Sequence, residues 1–257
     1  VKGSGEQRGY LLFSDVPGRT IWQVKGGEAA VFHKELGRPN GLAVDAQGRI
    51  VVCESDGRIR RITADDPKGE VLAEAFEGSR LNSPNDLVID SKGRIFFTDP
   101  AFFVRATDRR LDFEGLFCIT PDGKLHLLDK EFARLNGVCL SPDESRLYVA
   151  DFGGSAIYVY DLEHGKVSNR RKFADVIEQR GDRQVRGRPD GVKTDADGHV
   201  YTTGPGGVWV FSETGELLEK LAVPGVSNIA FGGDDKRTLF MTAGTRVLAV
   251  PTVHAGW

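Results

Sequence analysis

One phrase returns five times along this chain. It reads "PNGLAVDAQGRIVVCES" from Pro39, "PNDLVIDSKGRIFFTDP" from Pro84 and "LNGVCLSPDESRLYVAD" from Leu135. It then reads "PDGVKTDADGHVYTTGP" from Pro189 and "SNIAFGGDDKRTLFMTA" from Ser227. Within each copy, alternating apolar residues such as Leu42, Val44, Ile50 and Val52 fit two strands joined by a tight turn. Turns such as "DAQG", "DSKG" and "DADG" supply an Asp for side-chain–backbone bonding and a Gly for positive φ. Long helical periodicity is missing almost everywhere.

Self-similarity at about 40–50 residues, with further strands such as "AIYVYD" (156–161) and "GVWVFS" (207–212) after each pair, is the pattern of a β-propeller. A sixth copy is implied. "YLLFSD" at 10–15 matches "RIVVCE" and "RIFFTD" as the second strand of a unit. By the spacing of the other copies, its opening letter belongs at residue 1 or just upstream. The sequence therefore predicts an all-β fold. It is a six-bladed β-propeller forming a single domain over 1–257, with four-stranded antiparallel blades and a truncated first inner strand.

Each copy opens on a polar letter: Asn40, Asn85, Asn136, Asp190 and Asn228. In a propeller the innermost strands line a central channel, so these letters are expected to converge on a ring. Asn and Asp also start strands for purely local reasons, by bonding nearby backbone groups. The chemical alternative is a hard-cation site, because calcium takes six to eight oxygen ligands from carboxylates, amide carbonyls and water. Asp190 is the only carboxylate among the five letters, so it is the candidate both for ligating a cation and for acting as general base or nucleophile.

The rest of the composition excludes more than it assigns. At 257 residues, 40% hydrophobic and a net charge of −3, this is an ordinary globular composition with no dominant sign of charge. No nucleic-acid or membrane partner is expected. The one dense basic run, "RGDRQVRGR" at 180–188, reads as a solvated loop. Cys53, Cys118 and Cys139 lack metal-site spacing and read as buried hydrophobes. No apolar run approaches the roughly 18 residues of a membrane span. No signal peptide is visible, which favours a cytoplasmic location and leaves a secreted or periplasmic one open; oligomeric state is not legible. None of the five His residues shows metal or triad spacing, and His199 and His254 are expected at the solvated surface. No GxSxG phrase is present.

These phrases, with "YLLFSDVPGRTIW" in front and "AFGGDDKRTLFMTA" near the end, resemble the gluconolactonase/senescence-marker-protein-30 family over essentially the whole chain. The resemblance implies a six-bladed propeller with one divalent cation, in first place Ca2+ with Zn2+, Mg2+ or Mn2+ as alternatives. The expected reaction is hydrolysis of a small-molecule lactone or related ester. It places the "ND" asparagine of the family on Asn85, the "NG" asparagine on Asn136, and the metal-binding aspartate, the proposed catalytic base, on Asp190. A fourth ligand, a Glu in an "EGP" phrase, is expected upstream of Val1, Glu6 being a poor substitute. The family's Arg two residues before the "ND" asparagine is replaced by Ser83, with Arg80 as the nearest stand-in.

Two insertions, 101–115 and 175–188, are long enough to reach a substrate mouth. Phe102, Phe103 and Arg105 are candidates for substrate contact there, with packing on the blade as the alternative. Asn40 is expected to line the channel and touch substrate. Two rival functions remain at this stage: a non-catalytic propeller that binds a partner, and a phosphotriesterase-like hydrolase using the same metal site. Fold alone does not separate them.

Overall fold

Alternating apolar letters in each copy become paired antiparallel strands. The computed structural model of the protein describes residues 9–108 and 110–257, as a six-bladed β-propeller. They fall into two units, Val1–Glu131 and Phe132–Trp257.

In the first unit, β1 (Leu11–Asp15), β2 (Thr20–Lys25) and β3 (Glu28–His33) form a three-stranded sheet. The next sheet is β4 (Pro39–Val44), β5 (Ile50–Glu54), β6 (Arg58–Ile62) and β7 (Glu70–Ala73). A small hairpin, β8 (Ala75–Phe76) and β9 (Ser79–Arg80), leads into the third. That sheet is β10 (Leu87–Ile89), β11 (Ile95–Asp99), β12 (Gly115–Ile119) and β13 (Leu125–Asp129).

The second unit repeats the plan. Its first sheet is β14 (Leu135–Leu140), β15 (Arg146–Asp151), β16 (Ala156–Glu163) and β17 (Lys166–Asp175). The hairpin β18 (Ile177–Arg180) and β19 (Arg183–Arg186) occupies the stretch read from sequence as a basic loop. The next sheet follows as β20 (Val192–Thr194), β21 (Val200–Gly204), β22 (Gly207–Phe211) and β23 (Leu217–Leu221). The last is β24 (Val226–Gly232), β25 (Thr238–Ala243) and β26 (Arg246–Pro251).

Four strands per blade is thus observed in four sheets, and the first and last have three among the described residues. After β26 the chain does not add a strand. Residues 252–257 instead run along the turn between β20 and β21, where Ala196 N–H donates to Ala255 O and Asp195 pairs with Gly256.

Period-2 side-chain alternation explains where the core lies. In β5, Ile50 and Val52 join Ile21, Leu36 and Ile62 on one side, while Val51 and Cys53 join Ile59, Leu87, Ile95, Phe97 and Phe117 on the other. In β22, Trp209 and Phe211 pack with Cys139, Tyr148, Ile157 and Val200. On its other face, Val208 and Val210 pack with Tyr201, Ile229, Leu239 and Met241. Each such side chain contributes about 1.5–3 kcal/mol by leaving water. All three cysteines are free and buried, as expected, and burial pushes the Cys118 thiol up to about 12.

Candidate active site

The glycine that follows three of the polar letters sets how closely neighbouring sheets approach. Gly41 N–H donates to Asn85 O at 2.7 Å, and a Cβ on Gly41 would sit 2.7 Å from that oxygen and from Asp86 Cα. In the second unit, Gly137 N–H donates to Asp190 O and Gly191 N–H to Ser227 O, both at 3.0 Å. A Cβ on Gly191 would overlap the Asn228 side chain. The Asn-Gly and Asp-Gly phrases are therefore docking points: the letter of one sheet is seated on the glycine of the sheet before it.

The letters differ in what they do next. Asn85 is 8% exposed, its N–H donates to Thr98 O at 2.9 Å, and its carbonyl accepts from Gly41. Asn136 is buried. Asp190 is half-buried, with its N–H donating to Thr203 Oγ1 at 2.8 Å and its carbonyl held by Gly137. Asn228 spends its Oδ1 on the N–H of Ile229 at 2.8 Å, so at this letter the local strand-starting role is the observed one. Asn40 is half-buried in β4.

A second device stabilises the loops that lead to these letters. The acid closing the second strand of a sheet reaches back to the lead-in loop of its own first strand. Glu54 Oε1 accepts from Gly37 N–H at 2.8 Å, and Asp151 Oδ1 from Arg134 N–H at 3.0 Å. Asp99 accepts from both Asn82 and Ser83 N–H at 2.7 Å, fixing the loop immediately before Asn85. Burial pushes the Asp99 carboxyl up to about 7, against the opposing pull of those two N–H groups. In the Asp190 sheet this position is Gly204, and Thr203 takes over by holding Asp190 directly. The threonine before that closing position, in "FFTD", "YTTG" and "FMTA", was the readable signal for this anchor: Thr98, Thr203 and Thr242 each accept an N–H from the opening of their own first strand.

The other sequence-predicted residues divide. Arg80 is exposed on the β8–β9 hairpin and directs a guanidinium nitrogen to Asp56 O at 3.4 Å. Phe103 is 47% exposed, with the Arg38 guanidinium 5.7 Å from its ring centre. Arg105 is exposed, and its carbonyl accepts from Asp108 N–H. Later in the same insertion Leu111 and Phe113 pack into the core. The packing reading is thus met by Leu111 and Phe113, while Phe103 and Arg105 stay at the surface. Glu6 and the opening of the first blade lie outside the described residues. His199 and His254 are not isolated surface residues: their rings meet at 4.8 Å, edge to face. Hairpin folding and the path of residues 252–257 bring them together, which linear spacing did not show.

Residues 4–245 match the pattern described as the SMP-30/gluconolactonase/LRE-like region. The chain belongs to that family. A gluconolactonase of Zymomonas mobilis subsp. mobilis is 32% identical, covering 96% of this chain and 76% of the relative. The pentonolactonase XacC of Haloferax volcanii is 28% identical over 79% of this chain and 66% of its own length. Among solved structures, a gluconolactonase of Xanthomonas campestris superposes with a TM-score of 0.84 at 34% identity, covering 94% of this chain and 82% of that one. The SMP-30/gluconolactonase resemblance read from the repeated phrases is borne out.

Proposed function

We propose that this protein hydrolyses lactones, with Asp190 as general base and with a divalent cation, calcium in first place, held by oxygens of Asn85, Asn136 and Asp190. The observation that carries the reading is Asp190 itself. It is the lone carboxylate among the five repeated letters, fixed through both its N–H and its carbonyl, in a family whose relatives include lactonases.

The donor set suits a hard cation, since neutral amide oxygens and one carboxylate are calcium-type ligands. Asn85 adds a structural reason, because its main chain is held on both sides, by Thr98 and Gly41, which fixes the point from which its side-chain amide extends. When bound, such a cation would supply Lewis acidity toward the lactone carbonyl and offset the charge that grows on its oxygen. Asp190 takes a proton from the attacking water as the new C–O bond forms. The ring C–O bond then breaks and the proton passes to the departing ring oxygen, giving the open hydroxy acid. Thr203 and Gly137 confine the Asp190 backbone, so the carboxylate is pre-positioned rather than searching.

Following acid release from an aldonolactone at constant pH tests this. Turnover is expected to stop on chelation and return with calcium. Turnover unchanged by chelation would remove the cation from the mechanism. Hydrolysis of a phosphotriester with no lactone turnover would favour the phosphotriesterase reading.

A further inference from the structure

The turn between β20 and β21 carries a cluster that the lactonase chemistry does not use. It sits five residues along the chain from Asp190, at the far end of β20, about 16 Å away for extended chain. Asp195 is fully buried, and its Oδ1 accepts from Asp197 N–H at 3.0 Å and His199 N–H at 2.9 Å. Its Oδ2 lies 2.8 Å from His199 Nδ1 and accepts from Tyr201 Oη at 3.2 Å. Burial, reinforced by the Asp195 charge, raises the Tyr201 phenol, so it stays a donor to that carboxylate. His254 arrives from the segment after β26, with its Nδ1 2.5 Å from Asp197 Oδ2. Backbone bonds from Ala196 N–H to Ala255 O and from Gly256 N–H to Lys236 O, both 2.8 Å, hold that segment in place.

One nitrogen from each imidazole and one Asp195 oxygen all lie within 4.8 Å of one another. With metal–ligand bonds of about 2.1 Å, ligand atoms around zinc stand roughly 3–3.5 Å apart. The Asp195–His199 pair, at 2.8 Å, is already near that separation, and the His254 nitrogen lies within 4.8 Å of both. Two imidazoles and a carboxylate are the donors of zinc, nickel and copper sites, whereas calcium and magnesium take oxygens. Asp197 adds the partner such sites use to orient a ligating imidazole: its carboxylate accepting from Nδ1–H of His254 would leave the Nε2 lone pair for the metal.

We propose that Asp195, His199 and His254 bind a divalent transition metal of the zinc class, clipping residues 252–257 onto the β20–β21 hairpin, with water completing the shell. The parallel turns of the other sheets show what is particular here. Arg49 and Arg94 make the same contact to Asp45 and Asp90, and a guanidinium does not ligate metals.

The test uses the whole protein in excess calcium, so that oxygen-only sites are filled, titrated with Co2+ as a spectroscopic probe. One equivalent should give the visible absorption of a nitrogen-containing, low-coordinate site, and Zn2+ should displace it. The thermal midpoint should rise with Zn2+. His254→Gln removes a part-exposed ligand, and His199→Arg rebuilds the turn used at Arg49. Both should fold and both should lose the band and the thermal shift, while Asp197→Asn should weaken binding about 10–100-fold. No saturable band in the unaltered protein, or a band that survives either ligand substitution, would overturn the proposal.

Discussion

Residues 38–53 and 188–203 build the same object from nearly the same letters. Both start with Arg-Pro, and each arginine stacks on an aromatic ring, Arg38 on Phe103 and Arg188 on Phe152. Both place a glycine where the next sheet docks. Both close on an Asp whose Oδ1 accepts two N–H groups and whose Oδ2 takes the side chain four residues on. Among their differences, Asn40 stands against Asp190 at the opening of the inner strand, and Arg49 stands against His199 across the turn, just before the second strand. The common letters make the blade. These two changes keep the Asp-centred turn and differ in the group they offer, a carboxylate in place of an amide and an imidazole in place of a guanidinium.

If this comparison is right, the carboxylate cannot simply be moved. Exchanging the letters in an Asn40→Asp/Asp190→Asn double variant should leave aldonolactone turnover about 10²–10⁴-fold down, the range of a lost general base. Recovery of activity in the double variant would show that any ring position serves.

The loop clamps offer a second contrast, because Asp99 holds the approach to Asn85 while Gly204 has no counterpart group. An unfolded Asp releases its proton near 3.8 and the folded one near 7. Between those values folding takes up a proton, so this contribution to stability falls as pH rises through the window and levels off above it. Denaturant unfolding of Asp99→Asn against the parent should therefore show a cost that shrinks by about 2 kcal/mol from pH 5 to pH 7, the slope easing from about 1.36 kcal/mol per unit as pH 7 is reached. A cost independent of pH would mean that Asp99 is ionised throughout.

Smaller effects test the shared parts. Gly41→Ala and Gly191→Ala should each lower stability by about 1–3 kcal/mol through overpacking at the docking point, read from chemical denaturation. An effect confined to one of them would break the equivalence of the two repeats. Least disturbing is His199→Arg, which restores the Arg49 arrangement and should shift stability by less than about 1 kcal/mol.

The blades were legible because their signal is local. Period-2 alternation and an Asp-to-Gly turn recur at near-constant spacing, and those are the determinants of the strands observed. The polar letters were legible as a set for the same reason. Asn228 shows the limit, since a letter read alongside the ligand candidates spends its side-chain oxygen on its own next amide. The β18–β19 hairpin was missed because its charges hid an antiparallel register, Ile177↔Arg186 through Arg180↔Arg183. The His199–His254 pair was missed because it depends on where residues 252–257 travel after β26, and no spacing encodes that path. Thr203 and Asp99 were written in the repeat, but their bonds run across a sheet, so the letters alone did not reveal what they hold.

The central claim is that the changed letter at 190 carries the chemistry. Aldonolactone hydrolysis by Asp190→Asn, measured beside the parent at saturating calcium with thermal unfolding as a check on folding, tests it most directly. The account predicts turnover reduced about 10²–10⁴-fold in a protein that still folds. Turnover within a few-fold of the parent would contradict it.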